Sequence, residues 1–178
     1  MRTDDELMVA FRSGDTAAFD AIFERYRDPI WRFFRRRVAD SRQAEELTQE
    51  TFLALLRGAS RYEPRSAFRS YLFGIAFNLL SASRRDGHRT AMAPLDDIDP
   101  VAPGCDATSV LWVRQALAEL DERDREVLML REYEQLSYDE IATLMGVAAG
   151  TVRSRLFRAR LALKEKLVGT VAPQGVSQ

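Results

Sequence analysis

Apolar residues recur at steps of three and four along most of this chain, which is the spacing of amphipathic helices. The clearest run begins at Phe19 and continues through Ile22, Phe23, Tyr26, Ile30 and Phe33. No segment alternates apolar and polar positions for long enough to indicate a strand. The pattern therefore predicts an all-α fold.

Capping and breaking residues place the first four helices. Residues 3–6 (TDDE) have the spacing of a capping box, in which a Thr hydroxyl and a Glu carboxylate each bond the other residue's backbone amide. Asp15 should cap the second helix, which Pro29 should kink. The third helix should end near Gly58, and a fourth is expected over residues 68–85.

The middle of the chain differs from both ends in composition and in hydrophobic pattern. Residues 86–108 contain three of the six prolines and lack a helical period, which is typical of a linker. Helical patterns then return, with a second capping box at residues 137–140 (SYDE), a turn at Gly146 and a last helix from about Thr151. We therefore predict a four-helix N-terminal domain at 1–88, a flexible acidic Pro-rich linker at 89–108, a second helical domain at 109–168 and a disordered tail at 169–178.

Composition excludes several classes of protein. With one cysteine and one histidine among 178 residues, the chain cannot form an internal disulfide or an ordinary tetrahedral zinc site. Its apolar runs fall short of the roughly 18–20 residues that a membrane span needs, and its N-terminus lacks a signal-peptide core. We expect a cytoplasmic protein that is not inserted in a membrane and uses no metal or cofactor.

The charges are balanced in total but segregated along the chain. There are 26 Lys and Arg against 27 Asp and Glu, a balance that by itself argues against a nucleic-acid partner. However, residues 57–90 carry seven arginines and two carboxylates, and residues 151–178 carry six basic residues and one acidic residue. Two basic segments separated by acidic ones indicate two surfaces that can meet a polyanion.

The C-terminal segment has the pattern of a helix-turn-helix, because two short helices meet at Gly146 and the second is strongly basic. If Val152, Leu156 and Ala159 face inward, the other side of the helix is outward. Arg side chains there can hydrogen-bond guanine and a Phe can pack on a thymine methyl, while a Thr at the start of the helix can bind a phosphate. The candidate DNA-binding residues are Thr151, Arg153, Ser154, Phe157 and Arg158. The alternative is the solvated face of an ordinary amphipathic helix.

The string LSYDEIATLMGVAAGTVRSRLFRARLALKEKL closely resembles the region that recognises the minus-35 promoter element in the extracytoplasmic-function group of bacterial sigma factors. The preceding ALAELDERDREVLMLREYEQ is similar to its partner helices, although Asp121 and Glu122 occupy a stretch where members often have a proline. Response-regulator output domains share the general helix-turn-helix pattern. The N-terminal half of the sequence is therefore needed to distinguish a sigma factor from a response regulator.

The segment AEELTQETFLALL resembles the helix with which the same family docks on core RNA polymerase. Leu47 and Phe52 should help to fill the domain core, which leaves a polar face outward. The resemblance implies that this face meets the clamp helices of the largest polymerase subunit, through Glu45, Glu46, Gln49 and Glu50. Without the family, an ordinary solvated acidic face is the alternative.

The segment RYEPRSAFRSYLFGIAFNLLSASRR interleaves arginines with aromatic rings, a combination that suits single-stranded nucleic acid. In the family this region opens the minus-10 element and holds a flipped base. The resemblance implies minus-10 contacts from Arg65, Ser66, Phe68, Arg69, Tyr71, Asn78, Arg84 and Arg85.

Part of that segment must nevertheless pack inward. The helical period predicts an inward stripe of Leu72, Ile75, Ala76 and Leu79. It also makes Phe73 and Phe77 packed rather than DNA-facing. Tyr71 stands where members of the family usually have Trp, and its planar ring should preserve the packing.

Three ordered blocks over about residues 7–168 identify the chain as a member of this sigma-factor group. Membership implies a non-enzymatic factor that binds core RNA polymerase, duplex minus-35 DNA and single-stranded minus-10 DNA, with its linker in the RNA-exit path and an anti-sigma protein as a further partner. No GxxxxGK[ST] motif for ATP is present. The alternatives are a stand-alone helix-turn-helix transcriptional regulator, which usually carries a sensor domain, and an enzyme acting on nucleic acid.

Overall fold

A computed structural model describes residues 2–63, 67–85 and 107–171 of the chain. The chain divides into two compact units, Met1–Ile98 and Asp99–Gln178. Every regular element in the described ranges is helical. The predicted all-α class is therefore confirmed.

In its described part, the N-terminal unit has four α-helices and one turn of 3-10 helix. Their order is α1 (Asp4–Arg12), α2 (Thr16–Arg35), α3 (Ser41–Gly58), the 3-10 turn (Ala59–Arg61) and α4 (Phe68–Arg85). The predicted capping box is present at the start of α1, where the Glu6 amide donates to the Thr3 hydroxyl at 3.3 Å and the Thr3 amide donates to the Glu6 carboxylate at 2.7 Å.

Aromatic rings fill the centre of this unit. Helix α1 packs on α2, α2 packs on α3, and α4 packs on both α2 and α3. Phe33 lies with its ring centroid 5.1 Å from that of Phe34 and 5.7 Å from that of Phe73, in edge-to-face geometry. All three side chains are completely buried. Burying each ring stabilises the unit by roughly 1.5–3 kcal/mol, and each edge-to-face pair adds about 0.5–1.5 kcal/mol.

Two tyrosine–aspartate hydrogen bonds attach α1 to this core. The Tyr26 hydroxyl donates to the Asp4 carboxylate, and the Tyr62 hydroxyl donates to the Asp5 carboxylate, both at 2.5 Å. Burial raises the pKa of both tyrosines, so both hydroxyls stay protonated as donors. The Arg12 guanidinium also donates to the Tyr62 carbonyl at 2.8 Å. Helix α1 therefore holds the chain just after the 3-10 turn in place.

One detail of the first helices differs from the sequence expectations. Asp15 stands at the N-cap of α2 as predicted, but its carboxylate makes no cap hydrogen bond and accepts from Arg2 at 2.9 Å instead. Helix α2 continues as one element through Pro29, in agreement with the apolar pattern that resumes after it, and the kink stays a prediction.

The inward stripe of α4 also differs from the predicted one. Leu72, Ala76 and Phe73 are fully buried as predicted, whereas Ile75 and Leu79 are only half-buried and Leu80 is fully buried in their place. Helix α4 packs against three neighbours, α1, α2 and α3, so its buried side is wider than one stripe of positions.

The C-terminal unit contains α5 (Ala107–Ala118), α6 (Glu122–Glu132), α7 (Tyr138–Met145) and α8 (Ala149–Val171) in its described part. Helices α5, α6 and α7 all pack against α8. The buried centre includes Val127, Leu130, Ile141, Val152 and Leu156. Asp121 caps the start of α6, since its carboxylate accepts from the Arg123 amide at 3.0 Å.

A glycine turn joins α7 to α8. The Ser137–Glu140 capping box opens α7 as predicted, and Gly146 ends it in the left-handed conformation with φ of 65°. L-residues with a Cβ adopt this conformation only at a cost of about 1–2 kcal/mol. A glycine here therefore lets the chain turn directly from one helix into the next.

Helix α8 is longer than the sequence predicts. It begins at Ala149 rather than Thr151 and continues to Val171, so three residues assigned to the disordered tail are helical. Residues 172–178 and most of the predicted linker lie outside the described ranges.

Replacing Gly146 with alanine should lower the unfolding free energy of the chain by about 1 kcal/mol. The added Cβ would meet no atom within 4 Å, so the cost comes from the left-handed backbone alone. Gly150→Ala is the matched control, because its Cβ also enters open space but its backbone is that of a normal helix. That substitution should stabilise the chain by about 0.5–1 kcal/mol. Urea unfolding followed by circular dichroism measures both, and shifts of the same sign would contradict the account.

Candidate functional site

One face of α8 is outward, basic and aromatic. Val152, Leu156 and Ala159 face inward and are at most 1% exposed, as predicted. The first two and a half turns of the helix present the other face to solvent, and Phe157 is 69% exposed there. Exposed on the same face are Arg153, Ser154, Arg158 and Arg160. The helical phase that the sequence predicts is therefore confirmed.

The arginines on this face differ in their bonding. The Arg153 side chain forms no hydrogen bond or ion pair with any other described residue. Arg158 donates from Nε and Nη2 to the two carboxylate oxygens of Asp124 on α6, at 3.0 and 2.9 Å. These hydrogen bonds raise the pKa of Arg158 above its ordinary value. Of these two arginines, only Arg153 has a guanidinium with all of its donors available.

The smaller polar residues lie at the start of the same helix. Thr151 is half-buried, and the Ser154 hydroxyl donates to the Thr151 carbonyl at 2.9 Å. The lone pairs of the Ser154 oxygen remain able to accept a hydrogen bond from a base amine. Further along α8, Arg160 donates to Glu132 at 2.8 Å.

A shallow groove continues along this face. It is lined by Tyr138 from α7 and by Arg153, Phe157, Arg160, Leu161 and Lys164 from α8. Three cations around exposed apolar groups suit a partner that combines negative charge with flat apolar surface. The edge of a DNA groove has both properties.

Phe68 does not belong to a DNA-facing surface, contrary to the sequence expectation. It is 1% exposed, and its ring lies edge-on to those of Tyr26 and Tyr62, with centroids 5.5 and 5.9 Å away. As the first residue of α4, it turns inward over the core and closes the end of the helix. The structure therefore removes Phe68 from the set of nucleic-acid contacts.

Tyr71 packs as the sequence suggests. It is half-buried, and its ring centroid lies 5.0 Å from that of Tyr62. Its hydroxyl also approaches Gly58 so closely that a Cβ added there would lie 3.1 Å away. The ring therefore fixes the start of α4 against the end of α3.

The remaining candidates on α4 vary in exposure. Asn78 and Arg85 are exposed, whereas Arg69 is half-buried with its guanidinium 4.9 Å from the centroid of the Phe73 ring. Arg84 is half-buried as well. Arg65 and Ser66 lie outside the described residues.

The polar face of α3 is outward as predicted. Glu45, Glu46 and Gln49 are exposed, and Glu50 is half-buried. Glu46 accepts from Arg42 at 3.0 Å, and Glu50 accepts from Arg57 at 2.8 Å.

Sequence reasoning missed an aromatic groove beside this face. The groove is lined by Phe23, Arg27, Trp31 and Arg32 of α2 together with Glu45 and Gln49 of α3. Phe23 is 36% exposed although it belongs to the apolar run that predicts α2. Positions 23 and 31 fall just off the buried stripe of positions 22, 26, 30 and 33, and that offset is the signal that could have revealed the groove.

Among the described helices, none is both long and apolar enough to cross a membrane.

Two segments of the chain match models of known protein families. Residues 22–90 match the family model for sigma-70 region 2, and residues 111–163 match the model for sigma-70 region 4. The first match covers α3 and α4, and the second covers the helix-turn-helix of α7 and α8. Both candidate surfaces therefore lie within family-matched segments.

Known proteins are similar over almost the whole chain. The RNA polymerase sigma-H factor of Pseudomonas aeruginosa is 34% identical, over 92% of this chain and 93% of that protein. The ECF RNA polymerase sigma factor SigM of Mycobacterium tuberculosis is 32% identical, over 93% of this chain and 85% of that protein.

Solved structures are similar as well. CnrH in complex with the cytosolic domain of CnrY matches with a TM-score of 0.69 over 92% of this chain and 96% of that chain, and at 24% identity it supports the fold. The sigma factor RpoE of Bartonella quintana, in complex with the anti-sigma factor NepR, matches with a TM-score of 0.67 and 26% identity over 84% of this chain and 96% of that chain.

Phe68→Ala should lower the unfolding free energy by about 3–5 kcal/mol, because it removes a fully buried ring that two tyrosines contact. Asn78→Ala on the same helix should change it by less than about 0.5 kcal/mol, since Asn78 is exposed. Denaturant unfolding of both variants measures the difference. A Phe68→Ala protein as stable as the parent would instead return Phe68 to the DNA-facing set.

Proposed function

We propose roles for the individual surfaces of this chain, which belongs to the extracytoplasmic-function family of bacterial sigma factors. As a sigma factor, it binds core RNA polymerase, directs it to promoters through minus-35 and minus-10 contacts and opens the DNA there. The strongest support for these roles is the outward face of α8. It combines exposed cations with a 69% exposed phenylalanine on the second helix of a helix-turn-helix.

The outward face of α8 reads duplex DNA at the minus-35 element. Arg153 has no competing partner among the described residues, so it is suited to a phosphate or a guanine edge. Phe157 can pack against a thymine methyl, and Ser154 can accept from a base amine. Thr151, near the N-terminus of the helix, lies where a phosphate oxygen is favoured.

The surface around α4 holds the opened minus-10 strand. Exposed Asn78 is suited to hydrogen bonds with an unpaired base, and Arg84 and Arg85 lie at the end of the same helix, where they can follow the backbone. Arg69 and Tyr71 support this surface from half-buried positions. Arg65 and Ser66 belong to the proposed contacts on the sequence pattern alone.

Opening the DNA uses binding energy rather than ATP. Extruding one base costs a few kcal/mol of stacking and pairing. Stacking of a base on a protein ring contributes about 1–3 kcal/mol, and arginine contacts to the displaced backbone add to it. The opened strand is therefore stabilised because the protein binds it better than it binds the duplex.

The outward face of α3 and the aromatic groove beside it form the docking surface for core polymerase. Glu45, Glu46, Gln49 and Glu50 supply the polar part. Trp31 supplies an apolar anchor in the groove where α2 and α3 meet, next to Glu45 and Gln49. A central aromatic anchor with a polar rim is the usual anatomy of a protein interface.

The remaining features follow from this division of roles. The two domains span residues 1–88 and 109–168, and the linker at 89–108 lets them reach DNA sites roughly two helical turns apart. The factor works in the cytoplasm as a non-enzymatic subunit. An anti-sigma protein is a further partner, since the similar RpoE of Bartonella quintana was solved in complex with the anti-sigma factor NepR.

In-vitro transcription with purified cognate core polymerase on a library of genomic fragments tests the assignment. The factor should give a small set of promoter-specific transcripts that core alone does not make. An absence of such transcripts would contradict the role in initiation.

Trp31→Ala should weaken binding to core polymerase about 30-fold, which corresponds to about 2 kcal/mol for a central aromatic anchor. Asp20→Ala is the control, because Asp20 is an exposed residue of the same helix outside the groove. Fluorescence anisotropy of the labelled factor titrated with core measures both, and thermal unfolding verifies that Trp31→Ala is folded. Equal affinities of the two variants would place the docking surface elsewhere.

A further inference from the structure

The bidentate pair between Asp124 and Arg158 joins the scaffold to the outward face of α8. Asp124 lies in the first turn of α6, and its side chain is 11% exposed, whereas that of Arg158 is 57% exposed. Neither side chain makes a further hydrogen bond among the described residues, and the Asp121 carboxylate adds a Coulombic attraction to Arg158. The carboxylate is therefore held in the fold while the guanidinium stands at the surface.

The geometry of the pair determines which donors of Arg158 remain. A guanidinium has five N–H donors in a fixed planar fork. Asp124 takes the Nε donor and one Nη2 donor, which together form one side of the fork. The end of the fork, with one donor from Nη1 and the second from Nη2, is left for another partner. Two parallel donors of this kind match the O6 and N7 acceptors of guanine.

We propose that Asp124 is a positioning residue for base recognition, because it holds the Arg158 guanidinium with its free pair of donors toward the major groove. This proposal rests on the proposed DNA-reading role of α8. It adds a residue on α6 that touches no DNA and still determines specificity at one base pair.

Two physical consequences favour base reading over phosphate binding for Arg158. The pair has no net charge, so its attraction to a phosphate is weak compared with that of unpaired Arg153. In addition, the two hydrogen bonds already fix the plane of a side chain that otherwise samples many rotamers. A planar, preorganised fork is what recognition of a base edge requires, whereas a phosphate accepts many orientations.

The chain also provides a matched control on the same helix. Arg160 donates one hydrogen bond to Glu132 at 2.8 Å, and both side chains are about half exposed. The other partner of Arg160 is the Tyr138 hydroxyl, so no single carboxylate holds two of its donors as Asp124 holds those of Arg158. Removing the Glu132 carboxylate should therefore leave base preference unchanged.

A holoenzyme selection experiment tests the proposal. A promoter from the transcription screen is randomised across its minus-35 element, bound by holoenzyme at fixed salt, and sequenced to give the base preference at each position. The variants are Arg158→Ala, Arg158→Lys, Asp124→Asn, Asp124→Glu and Glu132→Gln, and thermal unfolding verifies that each is folded. If Asp124→Asn does not fold, Asp124→Glu, which keeps the charge but shifts it by one methylene, takes its place.

Arg158→Ala should lose a preference of about 5–150-fold at one base pair. Arg158→Lys should behave in the same way, since it keeps the charge without the fork. Asp124→Asn should reduce the preference at that position at least about fivefold and leave other positions unchanged, with Glu132→Gln matching the parent.

The contrary results are distinct from one another. Suppose that Arg158→Ala lowers the preference at one position. If folded Asp124→Asn then leaves that preference unchanged, or lowers the preference at all positions equally, Asp124 is only structural and the proposal fails. Tighter binding by Asp124→Asn would show that the carboxylate competes with DNA, which also overturns it. If Arg158→Ala affects no single position, the base-reading role of Arg158 fails together with the proposal, while promoter-specific transcription still stands as a separate result.

Discussion

The buried stripe of α8 determines the arrangement of the whole C-terminal unit. Helices α5, α6 and α7 all pack against α8, and its inward side chains Val152, Leu156 and Ala159 are almost fully buried. Because an α-helix repeats every 3.6 residues, fixing that stripe also fixes which residues point outward. The outward face of α8, which we propose reads DNA, is thus oriented by core packing and by the left-handed turn at Gly146. The face is therefore already oriented in the free protein, before any DNA binds.

The same dependence explains how much the sequence could predict. Helix existence, the two capping boxes and the phase of α8 follow from local signals, and all were predicted correctly. Phe68 was not, because burial at a helix end depends on which distant residues cover it, here Tyr26 and Tyr62. The Asp124–Arg158 pair was also missed, since its members are 34 residues apart and no periodic pattern joins them. The roles of single residues at the DNA stay predictions.

Charge pairing changes the meaning of the basic segments. The residues after 150 carry six basic side chains, yet Arg158 and Arg160 are paired with acidic residues of α6, and Lys166 is paired with Glu119 of α5. The attraction of this unit for a polyanion is therefore smaller than its sequence charge suggests. Affinity for promoters must come from both units and from the polymerase together. A near-neutral chain is then an advantage, because the free factor is not held on arbitrary DNA.

We therefore expect promoter recognition to require that the polymerase present both units at once. Equilibrium binding of a labelled promoter duplex at about physiological salt, with and without core polymerase, tests it most directly. The free factor should bind the promoter and an unrelated duplex equally weakly, and the holoenzyme should prefer the promoter by about a thousandfold or more. Tight, promoter-specific binding by the free factor would contradict it.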